Sequence, residues 1–155
     1  MPVRKLREYL DGHKVKYVMI SHSAAFTAPE IAASAHIPGR ELAKTVVVKL
    51  DDRLAMTVLP SSQQVDFDLL CAASRARSAA LATEKEFKDR FPDCEVGAMP
   101  PFGNLYGMDV FVSDALTKDE EIAFNAGSHT ELVRMAYRDF DRLVHPKVVH
   151  IAVPI

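Results

Sequence analysis

The spacing of apolar positions along the chain changes period several times, and each change marks an element. Val3, Leu6 and Leu10 recur at helical spacing until Gly12, which predicts an opening helix over residues 3–11. Residues 15–20 are short, apolar and rich in β-formers, and read as a strand. Thr27 is placed to cap a second helix, with Pro29 and Glu30 in its first turn and Ile31 and Ala35 on one face. Pro38-Gly39 ends it. Two β-branched runs, residues 45–50 and 54–59, flank Asp51-Asp52-Arg53 and read as a hairpin closed by Pro60.

Beyond the hairpin, residues 65–73 are expected to be helical. Thr83-Glu84-Lys85-Glu86 has capping-box spacing, followed by Phe87 and Phe91 four apart, and that helix stops before Pro92. The segment GAMPPFGNLYG, from Gly97 to Gly107, reads as a loop. Next come an expected strand over 109–113, an acidic turn over 117–121 and a short strand over 122–124. Asn125-Ala126-Gly127 reads as a turn, followed by a strand over 130–135, a helical turn over 139–143 and a last strand or tail over 148–153. Several strands are joined by turns too short for anything but antiparallel neighbours. The expectation is a single α+β domain over residues 1–155, with a mixed, largely antiparallel sheet flanked by helices, and not a doubly wound nucleotide fold.

Composition narrows the function more than the fold. Apolar residues make up 48% and charged ones 26%, so disordered and fibrous classes drop out. The net charge of −2 gives no overall basic excess for gripping duplex backbone. Contact with nucleic acid would be local, and Arg4, Lys5, Arg7, Lys14 and Lys16 make the N-terminal segment its best place; a solvated helix face is the plainer reading. Cys71 and Cys94 stand far apart with no CxxC, against a disulfide framework or a structural zinc. No signal-peptide core or membrane-length apolar run occurs, so a cytoplasmic protein with no membrane association is expected.

The chemistry gathers in few places. Lys44 opens an apolar strand, where an ammonium can hold a phosphate or carboxylate as a point charge, lose proton affinity through burial, or snorkel to water. In Gly97-Ala98-Met99-Pro100-Pro101-Phe102-Gly103, glycine permits close approach to the backbone and proline stiffens it. Such a loop can aim amide donors at one point, or merely connect strands. His129 follows a glycine turn and is either an acid, a base, a pocket wall or a polar turn residue, and His22 carries the same choice. The histidines form no HExxH or other tight spacing, so no metal is expected, and GxSxG is absent. These residues describe a small-ligand pocket, with a hydrolase as one reading of it, and no more.

Taken together, HSAAFTAPEIA, AKTVVV, GAMPPFG and NAGSHTELVRMAYRDF resemble the YbaK/ProX family of aminoacyl-tRNA deacylases, related to the editing insertion domain of bacterial prolyl-tRNA synthetase. The resemblance covers roughly residues 3–147. A lysine at a strand start followed at this separation by a GxxxP loop is its most specific part. It implies hydrolysis, in trans, of the ester joining a wrong small amino acid to tRNA, with no cofactor, metal or covalent intermediate. Carried over, Lys44 is the substrate clamp and Gly97 the catalytic backbone contact. Pro101 and Gly103 belong to the loop, and His22, Thr27 and His129 are pocket-wall candidates. The implied partner is the acceptor end of aminoacyl-tRNA, with a synthetase as a second candidate; oligomeric state stays open. Thr45 stands where the alanine-editing type has asparagine, and the amino acid edited is also left open. The alternative is a non-catalytic module that senses an amino acid or aminoacyl-nucleotide in the same pocket.

Overall fold

A computed structural model of the chain describes residues 4–21, 40–92, 94–95 and 97–155. The expected helix after Thr27, and with it His22 and Thr27, lies outside the described residues. Helix α1 (Arg4–Gly12) buries Leu6 and Leu10 and leads into β1 (Tyr17–Ser21). The hairpin forms as its sequence requires. β2 (Ala43–Leu50) pairs along its whole length with β3 (Arg53–Pro60), from Ala43 opposite Pro60 to Leu50 opposite Arg53. Asp51 turns the chain with φ 53°, a left-handed conformation that aspartate tolerates better than most residues. Its carboxylate accepts the N–H groups of Arg77 and Ser78, both at 3.0 Å, tying the hairpin tip to the chain that returns alongside it.

After the hairpin come β4 (Gln63–Val65), α2 (Phe67–Ser74), capped by Asp66, and β5 (Ala79–Leu81). Helix α3 (Glu84–Phe87) carries the full reciprocal capping box between Thr83 and Glu86 and passes into a 3-10 turn over Lys88–Arg90. The remaining elements are β6 (Asp109–Ser113), β7 (Glu121–Asn125), β8 (Glu131–Ala136), α4 (Tyr137–Val144), β9 (Lys147–Val149) and β10 (Ala152–Pro154). The anticipated helical turn at 139–143 is therefore a helix of eight residues, and the anticipated last strand is two short ones.

The strands form a five-stranded sheet in the order β5-β2-β3-β6-β9, a three-stranded sheet β1-β8-β7, and a small pair β10-β4. Most pairings are antiparallel, but β3-β6 and β6-β9 are parallel. The two larger sheets meet through a parallel bridge between Leu42 and Ala123. One face carries the larger core, where Phe102 sits among Tyr9, Phe124 and Phe140 at ring separations of 5.5–6.1 Å. A smaller core of Val48, Leu50, Ala55, Leu70, Phe111 and Ile151 lies under α2 on the other face. The result is an α+β domain with a mixed, largely antiparallel sheet.

Candidate active site

Strand alternation decides where Lys44 points. Ala43 and Val47 face the larger core, so Lys44 lies on the opposite face, in line with Val46 and Val48. Its partner across β3 is Leu59. On the other edge of β2 the pairing is broken. Leu42 bridges β7, and Val48 to Leu50 pair with β5. Among the described residues, Ala43 to Val46 have no strand partner on that edge between these two contacts. The carbonyls of Glu41 and Val47 turn to this edge, accepting from Ala123 and Ala82, whereas that of Leu42 turns to β3 and accepts from Ser61. By the same alternation, the N–H and C=O of Ala43 and Thr45 face the gap. The lysine thus stands beside an opening in the sheet.

Lys44 is half-buried and makes no hydrogen bond or ion pair among the described residues. Burial alone pulls its pKa down from the usual lysine value. An ammonium held in this way is a stronger donor for an oxygen brought to it than one at an open surface, because less water competes.

The bridge is parallel, so Lys44, two residues beyond Leu42, stands level with Asn125, two residues beyond Ala123. Ile122 and Phe124 face the larger core, which turns Asn125 to the side of the sheet that Lys44 occupies. The turn beginning at Ala126 follows directly. It is fastened to the glycine loop at several points: Gly127 N–H donates to Ala98 O at 2.9 Å, and Glu95 N–H donates to Gly127 O at 2.8 Å. The Glu95 carboxylate also accepts the backbone N–H of His129 at 3.3 Å.

Gly97 is exposed at the tip of this assembly with φ +83°, a conformation that needs glycine. A β-carbon there would lie 3.5 Å from His129 Cε1. The His129 side chain is buried, 7% exposed, and forms a wall directly behind the glycine. Gly97 and His129 are thus brought together, and the register of β2 against β7 carries Lys44 to the same end of β7.

Pro101 and Gly103 sit differently. Both are buried, and Gly103 opens a 3-10 turn whose carbonyl accepts from Tyr106 and Met108. A β-carbon on Gly103 would come within 2.6 Å of Met108 O and of Val110 Cγ2. Its lack of a side chain is needed for packing against β6, and Pro101 acts on the loop from within the core. Sequence reasoning missed Glu95 and Asn125. Asn125 was expected in a turn but ends β7, paired with Leu132. Among the described residues no three His, Cys, Asp or Glu side chains are grouped to hold a metal, and no helix is long and apolar enough to cross a membrane.

A polar groove of about 550 Å³ lies at the far end of the hairpin, lined by Lys49, Asp52, Arg53, Glu86, Arg90 and Asp109. Its charges largely satisfy one another, with Lys49–Glu86 at 2.9 Å and Arg53–Asp109 at 4.0 Å. It is a solvated surface with paired charges.

Known proteins resemble this chain at two levels, sequence and fold. Residues 22–143 match the family model for the aminoacyl-tRNA editing domain. The multifunctional Ser/Thr-tRNA deacylase ProXp-y of Escherichia coli K12 is 31% identical over 114 residues, covering 70% of this chain and 67% of that protein. At the level of fold, the hypothetical protein APE2540 superposes with a TM-score of 0.86 at 16% identity, over 97% of this chain and all of that one. A crystal structure assigned as a trans-editing enzyme for prolyl tRNA synthetase gives 0.82 at 17% identity, over 97% of this chain and 96% of that one. With the family model spanning most of its length, the chain belongs to the aminoacyl-tRNA editing domain family.

Proposed function

We propose that the chain edits tRNA in trans by releasing serine or threonine from it, with Lys44 and the Gly97 backbone as its catalytic groups. As an editing-domain protein it is an aminoacyl-tRNA deacylase: water adds to the ester carbonyl carbon, the bond to the ribose oxygen breaks, and that oxygen leaves with a proton. Negative charge develops on the carbonyl oxygen as water adds. The observation that carries the assignment is Lys44, a half-buried ammonium without a partner among the described residues, beside a gap in the sheet. A donor preorganised in this way stabilises the developing oxyanion more than the ground-state carbonyl. Gly97 presents the only backbone of its loop, from 97 to 103, that is exposed, and His129 closes the pocket behind it. Serine and threonine are favoured as substrates because the deacylase ProXp-y acts on them.

The test is deacylation of tRNAs charged with alanine, serine, cysteine, threonine and proline, by wild type and by Lys44→Ala. Lysine-dependent release of serine or threonine is expected. Equal rates in the two proteins would remove Lys44 from the mechanism. A folded wild type that is silent across the panel but binds an aminoacyl-nucleotide would turn the reading to a sensing module.

A further inference from the structure

Asn125 ends β7 on the same side of the sheet as Lys44, each residue two positions past the bridge that joins β2 and β7. Its side-chain oxygen is buried and accepts no hydrogen bond among the described residues. Native structures rarely leave such an acceptor without a donor, and one that persists calls for an explanation. Across the opening, Lys44 finds no partner for its donors among the described residues. The two residues flank the opening in the sheet, each two positions past the bridge that joins their strands. A small aminoacyl group seated in that opening with its carbonyl oxygen on Lys44 turns its side chain toward Asn125.

The chemistry of the pair selects what Asn125 meets. Burial is the cause of the lowered Lys44 pKa, and among the described residues no carboxylate offsets it. A second cation beside that ammonium would be repelled, so the α-ammonium is poorly placed there. A carboxamide suits a neutral donor. We infer that Asn125 reads the side-chain hydroxyl of the aminoacyl group and so sets the preference for seryl and threonyl substrates; this rests on the editing function proposed above. A site that hydrogen-bonds a hydroxyl discriminates against the analogue lacking it far better than a site that senses a methylene.

The experiment compares binding of stable ribose-amide analogues of seryl- and alanyl-adenosine, and of threonyl- and valyl-adenosine, to wild type and Asn125→Leu by calorimetry. Wild type should prefer each hydroxylated member by about tenfold or more. In Asn125→Leu the preference should fall below about twofold while the alanyl analogue keeps its affinity. Asn125→Ala, which introduces no new volume, gives the same ratio if the leucine variant does not fold. A wild type without preference, or a variant that retains it, overturns the assignment. Release from charged tRNA is followed in parallel. Preference in binding with no release by wild type would support the Asn125 assignment and overturn the deacylase reading, so the two fail separately.

Discussion

Gly97 and His129 meet so closely that a β-carbon on the glycine would lie 3.5 Å from the imidazole Cε1. Ordinary contact distance leaves room for a methyl group, but the backbone does not, because φ is +83°. Gly97→Ala is therefore expected to destabilise by about 1–2 kcal/mol through backbone strain. Relaxation of that strain moves the amide away from the pocket, and a displacement near 1 Å can lower a rate by about a hundredfold. Thermal melting and single-turnover deacylation check the two parts separately. A mutant with full activity would place the substrate elsewhere on the loop.

Lys44→Met should lose activity and gain stability at once. Removing one oxyanion donor typically lowers kcat by about 10²–10³. The stability change follows from proton linkage. Burial lowers the folded-state pKa of Lys44 below 10.5, so between the two values the unfolded chain binds more protons than the folded one. The penalty is fully present below the folded pKa and is relieved as pH rises toward 10.5. At neutral pH the methionine variant escapes it, and its melting temperature should exceed that of wild type. The deacylation rate of wild type should fall as pH rises through the lowered pKa, since the charged form is the donor. Melting curves and a pH–rate profile provide the measurements.

Gly103→Ala is expected to act on stability. The added carbon would meet Met108 O and Val110 Cγ2 at 2.6 Å, one of them rigid backbone. Overpacking of this kind costs about 1–3 kcal/mol. Urea unfolding should show a lower midpoint, and an unchanged midpoint would mean that the turn can move away from β6.

Tyr137 buries a hydroxyl that finds no partner among the described residues, and burial pushes its pKa up to about 12. Tyr137→Phe removes an unsatisfied polar group while keeping the ring against Phe140. The variant should be more stable than wild type by up to about 1 kcal/mol. A loss of stability would reveal a hydrogen bond to that oxygen in solution.

The Thr83–Glu86 box sets an acid-sensitive point. The Thr83 backbone N–H, then Lys49 and the Thr83 hydroxyl, hold the Glu86 carboxyl down at about 2. Its stabilising contribution is complete above the ordinary glutamate value near 4.5 and is lost as pH falls through about 2. Thr83→Ala should cost about 1 kcal/mol and flatten the acid side of the stability–pH curve. Melting from pH 2 to 6 tests both.

Much of this was legible in the sequence because local chemistry decided it. The β-branched run after Lys44 could scarcely be anything but a strand, and Asp51-Asp52 could scarcely be anything but its turn. Thr83 and Glu86 announced their helix by spacing alone. Gly97 and His129 could be named as candidates, but not as neighbours: their contact depends on Gly127 bonding to Ala98 across a separation that no local pattern reports. The parallel pairings of β6 with β3 and β9 were hidden for the same reason. Residues 79–81, Ala-Ala-Leu, carry no β-branched side chain and become a strand only because the β2 edge accepts them. Asn125 looked like a turn residue by composition, yet its ladder to Leu132 prevails. Tertiary pairing, not propensity, put it level with the lysine.

The unbroken register of β2 on β3 has a consequence for how the site can be lost. Side chains alternate along a strand, so a slip by one residue would send Lys44 toward the larger core and bring a neighbour, Ala43 or Thr45, to the pocket. The buried faces of both strands hold that phase together with the turn at Asp51 and Asp52, which acts from a point about 20 Å away along the strand. A single residue inserted between Asp51 and Asp52 sets the turn against those faces, and a strand that yields to the turn loses the lysine without a change to any group in the pocket. The hairpin tip works as a distant lock on the position of one ammonium.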